Sequence, residues 1–444
     1  MRALALSSAI VASLALCVSA QDARVPPTQN APTFSKDVAP ILYSKCVTCH
    51  RPGEVAPMSL ITYQDARPWA RAIREKVVAR EMPPWHADPA HGTFSNDRSL
   101  TQTQIDTIVK WVDAGARQGD AKQMPALPAF ADGWQIGKPD VVFEMPVDYK
   151  IPADGTVDYQ YFEVPTNFKE DRWISAGEVR AGNAEHVHHI IVSVIEPPGN
   201  ARPNVMTVRA ISDGSEGAAR APRQLTDAQR AQLAVAVRRA NAVSLVNWAV
   251  GEDAPVYPAG LAKRIPAGST LQFQVHYTTN GTAATDRSKI GLIFAKEPPK
   301  NEIRTALIAN AQFAIPAGAP NHQIEAEATF NDDVKVWTMH PHMHLRGKDM
   351  TYTAIYPDGR QEVVLHVPKY DFGWQTDYWL AQPLSLPKGS KLHVTAHFDN
   401  STTNRFNPDA STVVRWGDQT WEEMMIGYIT YTIDSTKVAT IAQR

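Results

Sequence analysis

Cys46-Val47-Thr48-Cys49-His50 is a C-x-x-C-H motif. At this spacing two thiols can form thioethers to the vinyl groups of a haem while the following imidazole ligates the iron. A redox dithiol would not require the histidine. A zinc site would need a second ligand pair, which the neighbouring sequence lacks. One covalent haem c held by Cys46, Cys49 and His50 is therefore expected. Its sixth ligand should be Met or His. Met82, in Glu81-Met82-Pro83-Pro84-Trp85, is the leading candidate, because a proline-fixed loop can hold a thioether in place. Met58 is its rival, and His86 a weaker one.

Eleven of the 14 histidines lie beyond residue 120, and they cluster. His186-Val187-His188-His189 heads the apolar run Ile190-Ile191-Val192. His276 follows Leu271-Gln272-Phe273-Gln274-Val275, where alternation sets it on the face opposite Leu271, Phe273 and Val275. His340-Pro341-His342-Met343-His344 precedes Leu345-Arg346-Gly347-Lys348. In a strand His342 and His344 share a face, the geometry a chelate at i, i+2 needs. Glu422-Glu423-Met424-Met425 leads into a strand over 426–432. Neutral imidazole suits copper, zinc and iron, while a thioether selects soft Cu(I), so His and Met together point to copper. Singly, His276 reads as a hydrogen-bonded structural histidine and Met424 as core. The H-x-H-x-H cluster is different: three imidazoles on one face would repel on protonation unless they are ligands. His91, His322, His366, His393 and His397 read as structural or surface residues.

These residues need a scaffold. The chain has 444 residues, 43% hydrophobic and 20% charged, an ordinary globular composition with room for about three domains. Lys plus Arg (44) nearly cancel Asp plus Glu (46), and a net charge of -2 gives no electrostatic reason to expect nucleic acid or an anionic membrane. Thr101 and Gln104 form a capping box, after which Ile105, Ile108, Val109 and Val112 line one helical face. The region 30–120 thus reads as a small all-α domain and resembles a class I-like cytochrome c. A Pro- and Ala-rich stretch begins a linker over 121–139. From Val141 onward, short alternating runs are broken by turns, with 33 prolines in the whole chain. This pattern predicts two all-β antiparallel sandwiches, over 140–298 and 299–444. A helix over 226–241, capped by Thr226 and Gln229, reads as an insertion into the first.

Residues 1–20 read as a secretory signal: Arg2, the apolar Ala3–Leu16, then Val18-Ser19-Ala20, with cleavage near Ala20-Gln21. That core is too short to span a bilayer, and no later stretch is long and apolar enough to do so. Cys17 would leave with the signal, so Cys46 and Cys49 are the cysteines that remain and no disulfide framework is expected. A periplasmic or secreted protein is the expectation.

Four pieces in order carry a resemblance: Val187-His188-His189, Gln274-Val275-His276-Tyr277, His342-Met343-His344-Leu345-Arg346-Gly347 and Glu423-Met424. Trp248-Ala249 adds to it. Over roughly 140–435 the chain resembles the copper type II, ascorbate-dependent monooxygenases, the family of peptidylglycine α-hydroxylating monooxygenase and dopamine β-hydroxylase. The resemblance implies two antiparallel jelly-roll domains, each holding one copper across a solvent cleft. Carried over, His188, His189 and His276 form an electron-transfer copper site. His342, His344 and Met424 form the oxygen-activating, catalytic site. Adjacent His188 and His189 would point to opposite faces of a regular strand, so both reach one metal only if the strand ends, twists or bulges there. His340 becomes an extra ligand or a supporting group, and Met425 the rival of Met424.

The chain also departs from that family. Its members are rich in disulfides. The amidating members carry an Arg two residues before H-x-H and an Asn two after the Met. His340 and Ile426 stand there, and of that set Tyr428 is present, so peptide amidation is not expected. The fused haem domain would stand in for ascorbate as electron donor. The resemblance thus implies an exported, haem-linked dicopper monooxygenase that hydroxylates a C–H bond of a small organic substrate with O2, the haem being reduced by an external donor. The alternatives are a periplasmic haem/copper electron carrier or copper-handling protein, and a reductase of a small oxidised molecule.

Overall fold

The computed structural model describes residues 31–54, 56–130, 133–200, 205–211, 243–249 and 254–434. The expected signal over 1–20 and the expected helix over 226–241 lie outside the described residues. The protein is mostly β, with 39% of residues in strands and 12% in helices.

Among the described residues the helices fall early in the chain. Ala39–Lys45 (α1), Tyr63–Ala66 (α2), Ala70–Val78 (α3) and Gln102–Asp113 (α4) precede every strand. They enclose a core built on Phe34, Leu42, Ile73, Ile108 and Trp111. The capping box at α4 forms in both directions: Gln104 N–H donates to Thr101 Oγ1, and Thr101 N–H to Gln104 Oε1. Trp111 joins Ile105 and Ile108 as fully buried, while Val109 and Val112 pack only partly.

The linker lies along folded surfaces. Arg51 sits over the Phe130 ring at 4.2 Å. Trp134 receives Arg180 and Lys289 on its indole, at 5.6 and 5.7 Å. Ile136 N–H donates to Glu178 Oε2.

Two sandwiches follow. In the first, one sheet orders β1 (Val141–Glu144), β11 (Lys289–Phe294), β4 (Arg172–Arg180), β8 (Leu261–Ile265) and β12 (Asn301–Glu302). The facing sheet orders β3 (Gln160–Pro165), β9 (Thr270–Tyr277), β5 (Val187–Ile195) and β7 (Val243–Ala249). In the second, one sheet orders β18 (Gln361–Val367), β17 (Gly347–Ile355), β20 (Lys391–Phe398), β15 (His322–Phe330) and β6 (Met206–Ile211). The other orders β13 (Arg304–Ala309), β22 (Ile426–Ile433), β16 (Val334–His342) and β19 (Tyr378–Leu386). Two small ribbons, β10 (Ala284–Asp286) with β2 (Tyr149–Ile151) and β14 (Ala314–Ile315) with β21 (Val414–Arg415), close the ends. Each sandwich has its own apolar core, around Phe273, Ile190 and Leu292 in one and Phe330, Tyr352 and Met339 in the other.

Space and sequence part company in two places. β6 lies within the stretch expected for the first sandwich, yet it pairs antiparallel with β15, from Met206↔Phe330 to Ile211↔Glu325. Its Met206 enters the second core. The segment after α3 also belongs to the second sandwich. Ala87 and Phe94 are buried in its core, and Ala381 N–H donates to the carbonyl of Thr93 at the open edge of β19. An apolar strand edge left bare is an aggregation hazard, and this segment covers it. Among the described residues no helix is long and apolar enough to cross a membrane.

Candidate metal centres

The first candidate centre begins with a change of register. Val187, Ile190, Val192 and Val194 of β5 all lie in the first core. Strict alternation cannot bury both 187 and 190. The register against β9 shifts between Val187 and His189, and this bulge turns both His188 and His189 away from the core. In β9, Leu271, Phe273, Val275 and Tyr277 face the core, so His276 faces out and pairs with His189. One ligand nitrogen from each of His188, His189 and His276 lies within 4.8 Å of the others. The Nδ1 atoms of His188 and His189 are 3.1 Å apart.

Burial disfavours protonation at this centre. Burial, with the neighbouring imidazoles, holds His189 well below its ordinary value and His276 down to about 3. His188 is lowered by burial, with Asp371 acting the other way. Buried polar atoms need partners, yet Nδ1 of His276 has no hydrogen bond. Three neutral imidazoles converging in this way fit a transition-metal ion. The fourth member of the sequence cluster is excluded by its bonds. His186 Nδ1 meets Asn183 Oδ1 and its Nε2 meets the Thr282 carbonyl, each at 3.0 Å, so both nitrogens are taken.

The second centre also depends on a bulge. Val334 and Val336 of β16 point into the second core, and so does Met339. The register against β22 shifts between Val336 and Thr338. Without that extra residue His340 and His342 would face the core; with it they face away. β16 ends at His342 and His344 lies in the turn beyond. Their rings stand 5.3 Å apart at 88°. His342 Nδ1 donates to Gln375 Oε1, and His344 Nδ1 donates to the Glu422 carbonyl at 3.2 Å. These bonds fix the tautomer and leave each Nε2 as the acceptor. Burial pushes His342 down to about 3 and His344 to about 4.

Glu423 fastens this centre together. Its Oε2 accepts from His344 N–H at 2.8 Å and its Oε1 from Arg346 N–H at 2.7 Å. Burial raises its carboxyl to about 8, against those donors and the Arg346 charge. The carboxylate thus ties the H-x-H loop to the segment that carries Met424. Met425 is fully buried in the second core, whereas Met424 is half-buried and takes no part in it.

The two centres face each other. His342 and His344 act electrostatically on His189, and His344 on His276. Phe372 stands between them, stacked on His188 at 5.2 Å and edge-on to His344 at 5.9 Å. Tyr159 lies 4.8 Å from His276 and 5.7 Å from His189, and it also feels Asp418 and Tyr428 of the second sandwich. A half-buried phenyl ring therefore stands between the two centres. His340 is bound elsewhere: its Nδ1 meets Asp377 Oδ1 at 3.0 Å. With Asn96, Tyr257, Lys263 and Tyr428 that pair lines a cavity of about 370 Å³. His366, His393 and His397 hydrogen-bond to Thr351, Glu325 and Asp349.

At the C-x-x-C-H motif, α1 ends on Cys46, and His50 N–H closes a turn onto the Cys46 carbonyl at 2.9 Å. His50 Nδ1 donates to the Met58 carbonyl at 3.2 Å, which leaves Nε2 as acceptor. Burial lowers the His50 pKa and pushes the Cys46 thiol up to about 12. Met58 packs against the helical core, whereas Met82 does not. His86 feels Asp371 and Lys369 of the second sandwich.

Gln375, Glu423 and Phe372 are the contributors whose roles the sequence did not reveal. Glu423 was visible as part of a motif. Gln375 and Phe372 lie in a loop with no spacing signal.

Residues 306–442, less than a third of the chain, match the family described as copper type II ascorbate-dependent monooxygenase, C-terminal domain. His342, His344, Glu423 and Met424 fall inside the match. It supports a copper monooxygenase, with O2 and an organic substrate as reactants. No curated protein matches the chain. Among solved structures, infectious bursal disease virus Gt strain is 14% identical over 68% of this chain and 72% of that one, with a TM-score of 0.19. The VP2 subviral particle of the same virus is 9% identical over 68% and 74%, with a TM-score of 0.19. A Paenibacillus xanthan lyase is 11% identical over 70% and 28%, with a TM-score of 0.15. Likeness at that level carries no argument about fold or function.

Proposed function

We propose that this chain is an exported, haem-linked dicopper monooxygenase that hydroxylates a C–H bond of a small organic substrate with O2. The observation that carries the reading is the pair of buried, unprotonated imidazole sets facing one another, one of them inside the matched segment. His342, His344 and Met424 would hold one copper, and His188, His189 and His276 the other, on two jelly-roll domains. Cys46, Cys49 and His50 would hold the haem. Met82 is favoured as its sixth ligand, because Met58 is engaged with the helical core. Bound there, copper would supply reactivity toward O2 and one-electron storage, and haem would supply one-electron transfer from an external donor.

The chain's own residues do the rest. Gln375 and the Glu422 carbonyl hold the protons on Nδ1, so Nε2 of His342 and His344 presents a lone pair. Glu423 keeps the H-x-H loop and the Met424 segment in one piece. Tyr159 and Phe372 cover the first centre and exclude water. Met424 is preferred to Met425 because the latter's side chain is engaged in the core.

The test is metal and haem content per chain, followed by O2 consumption and product analysis across candidate substrates. Two coppers, one haem and copper-dependent hydroxylation are expected. Met424→Leu should abolish product while leaving the haem spectrum unchanged. Turnover retained in Met424→Leu removes the site assignment. Redox activity without copper-dependent O2 consumption would identify an electron carrier instead.

A further inference from the structure

Phe372 makes ring contacts with both histidine sets. Phe372 belongs to neither β-sandwich core nor the helical core, although it is half-buried. Its ring is in contact with imidazoles instead. It lies nearly parallel to His188, 16° off at 5.2 Å, and meets His344 and His276 at 5.9 and 6.4 Å. Stacked and edge-on aromatic pairs at these distances are attractive, and they fix ring orientation.

The backbone beneath it is anchored to the second centre. Gln375 accepts from His342 Nδ1 through Oε1 and donates through Nε2 to the Phe372 carbonyl at 3.3 Å. Asp371 closes the turn, accepting from Gly373 N–H through its carboxylate and from Trp374 N–H through its carbonyl. A continuous mechanical path therefore runs from the His342 ring through Gln375 to the Phe372 backbone, and through its ring to His188.

We propose that Phe372 is the positioning residue that sets the spacing of the two histidine sets, clamping His188 from the second sandwich while its own turn is held by the Gln375 that orients His342. The inference rests on the copper reading above and deepens it. The resemblance implied one copper on either side of a solvent cleft; this ring stands between the two sets.

The test is a Cu(II) titration of the full chain followed by EPR, with far-UV circular dichroism as the folding control. Wild-type protein should take up two coppers. Phe372→Leu should fold normally and change the Cu(II) hyperfine signature of the copper at His188, or lose that copper. Phe372→Tyr keeps a ring and should retain both. In the metal-free protein, carbethoxylation of His188 by diethyl pyrocarbonate should be faster in Phe372→Leu than in wild type. A Phe372→Leu protein with two coppers, an unchanged spectrum and unchanged His188 labelling overturns the inference and leaves the copper reading standing. Fewer than two coppers in wild type overturns the copper reading and the inference with it.

Discussion

Replacing Glu423 by alanine tests the second centre as a mechanical unit. The carboxylate is fully buried and accepts from the N–H groups of His344 and Arg346. Its removal orphans both donors, at about 1–3 kcal/mol each. It also removes a carboxyl that acts electrostatically on the Arg346 guanidinium, which is 1% exposed. Breaking a buried charge pair costs about 3–5 kcal/mol. Here that is an upper bound, because Asp409 still acts on Arg346 and because burial raises the Glu423 carboxyl to about 8, so that it is largely uncharged at neutral pH. The terms share partners and do not add, so a loss of about 4 kcal/mol is the working figure. At about 2–4 °C per kcal/mol for a domain of roughly this size, the second sandwich should melt about 8–16 °C lower. Glu423→Gln keeps one acceptor oxygen but turns an amide N–H toward the other donor, so it should fall between wild type and Glu423→Ala. The assay is thermal unfolding of the metal-free protein by near-UV circular dichroism, paired with copper affinity at each centre. Affinity at His342/His344 should weaken, because the loop carrying His344 is released, while affinity at His188/His189/His276 holds. A Glu423→Ala protein within about 1 kcal/mol of wild type would refute the reasoning, since water would then have replaced the carboxylate without loss.

Two further outcomes are expected. Burial holds His276 and His342 at about 3 and His344 at about 4, while in the unfolded chain each titrates near its ordinary value. Because the unfolded state binds the extra protons, stability of the metal-free protein falls as pH drops below about 6.5, by about 2 kcal/mol per histidine at pH 5, and the loss continues down to each folded value. Urea midpoints that do not change between pH 7 and pH 5 would contradict this. Phe94, buried between Trp85 and Tyr378, belongs to the second core despite its place in the chain. Phe94→Ala should therefore destabilise the β region by about 3–5 kcal/mol. Proteolysis confined to the helical region would show that the contact contributes nothing there.

The sequence was readable where period and core coincide. α4 showed its capping box and its apolar face, and β9 showed His276 opposite Phe273 because no irregularity interrupts its alternation. What the sequence concealed were the two bulges. The puzzle of adjacent His188 and His189 could be posed from alternation, but the answer needed the register shift against β9. The shift in β16 left a faint trace, since the buried positions change from Val334 and Val336 to Met339. Phe372 and Gln375 act through loop geometry fixed by distant strands, so no local pattern marked them. β6 was unreadable for a related reason: an alternating strand does not name its sheet, and the partner lies 118 residues downstream.

That separation bears on the order in which the chain can fold. Ser95 waits for Trp379, 284 residues later, and β6 waits for β15. Until the C-terminal strands emerge, Phe94 and the inner face of β6 have nothing to cover them. Contacts this distant in sequence form slowly, and apolar segments left uncovered during synthesis invite aggregation. Cutting the chain near residue 298 should accordingly give two pieces that are both compromised, the first with an orphaned strand and the second with β15 as an open edge. The modules are consecutive in sequence but interlocked in assembly, and β15 and β19 complete segments laid down far earlier.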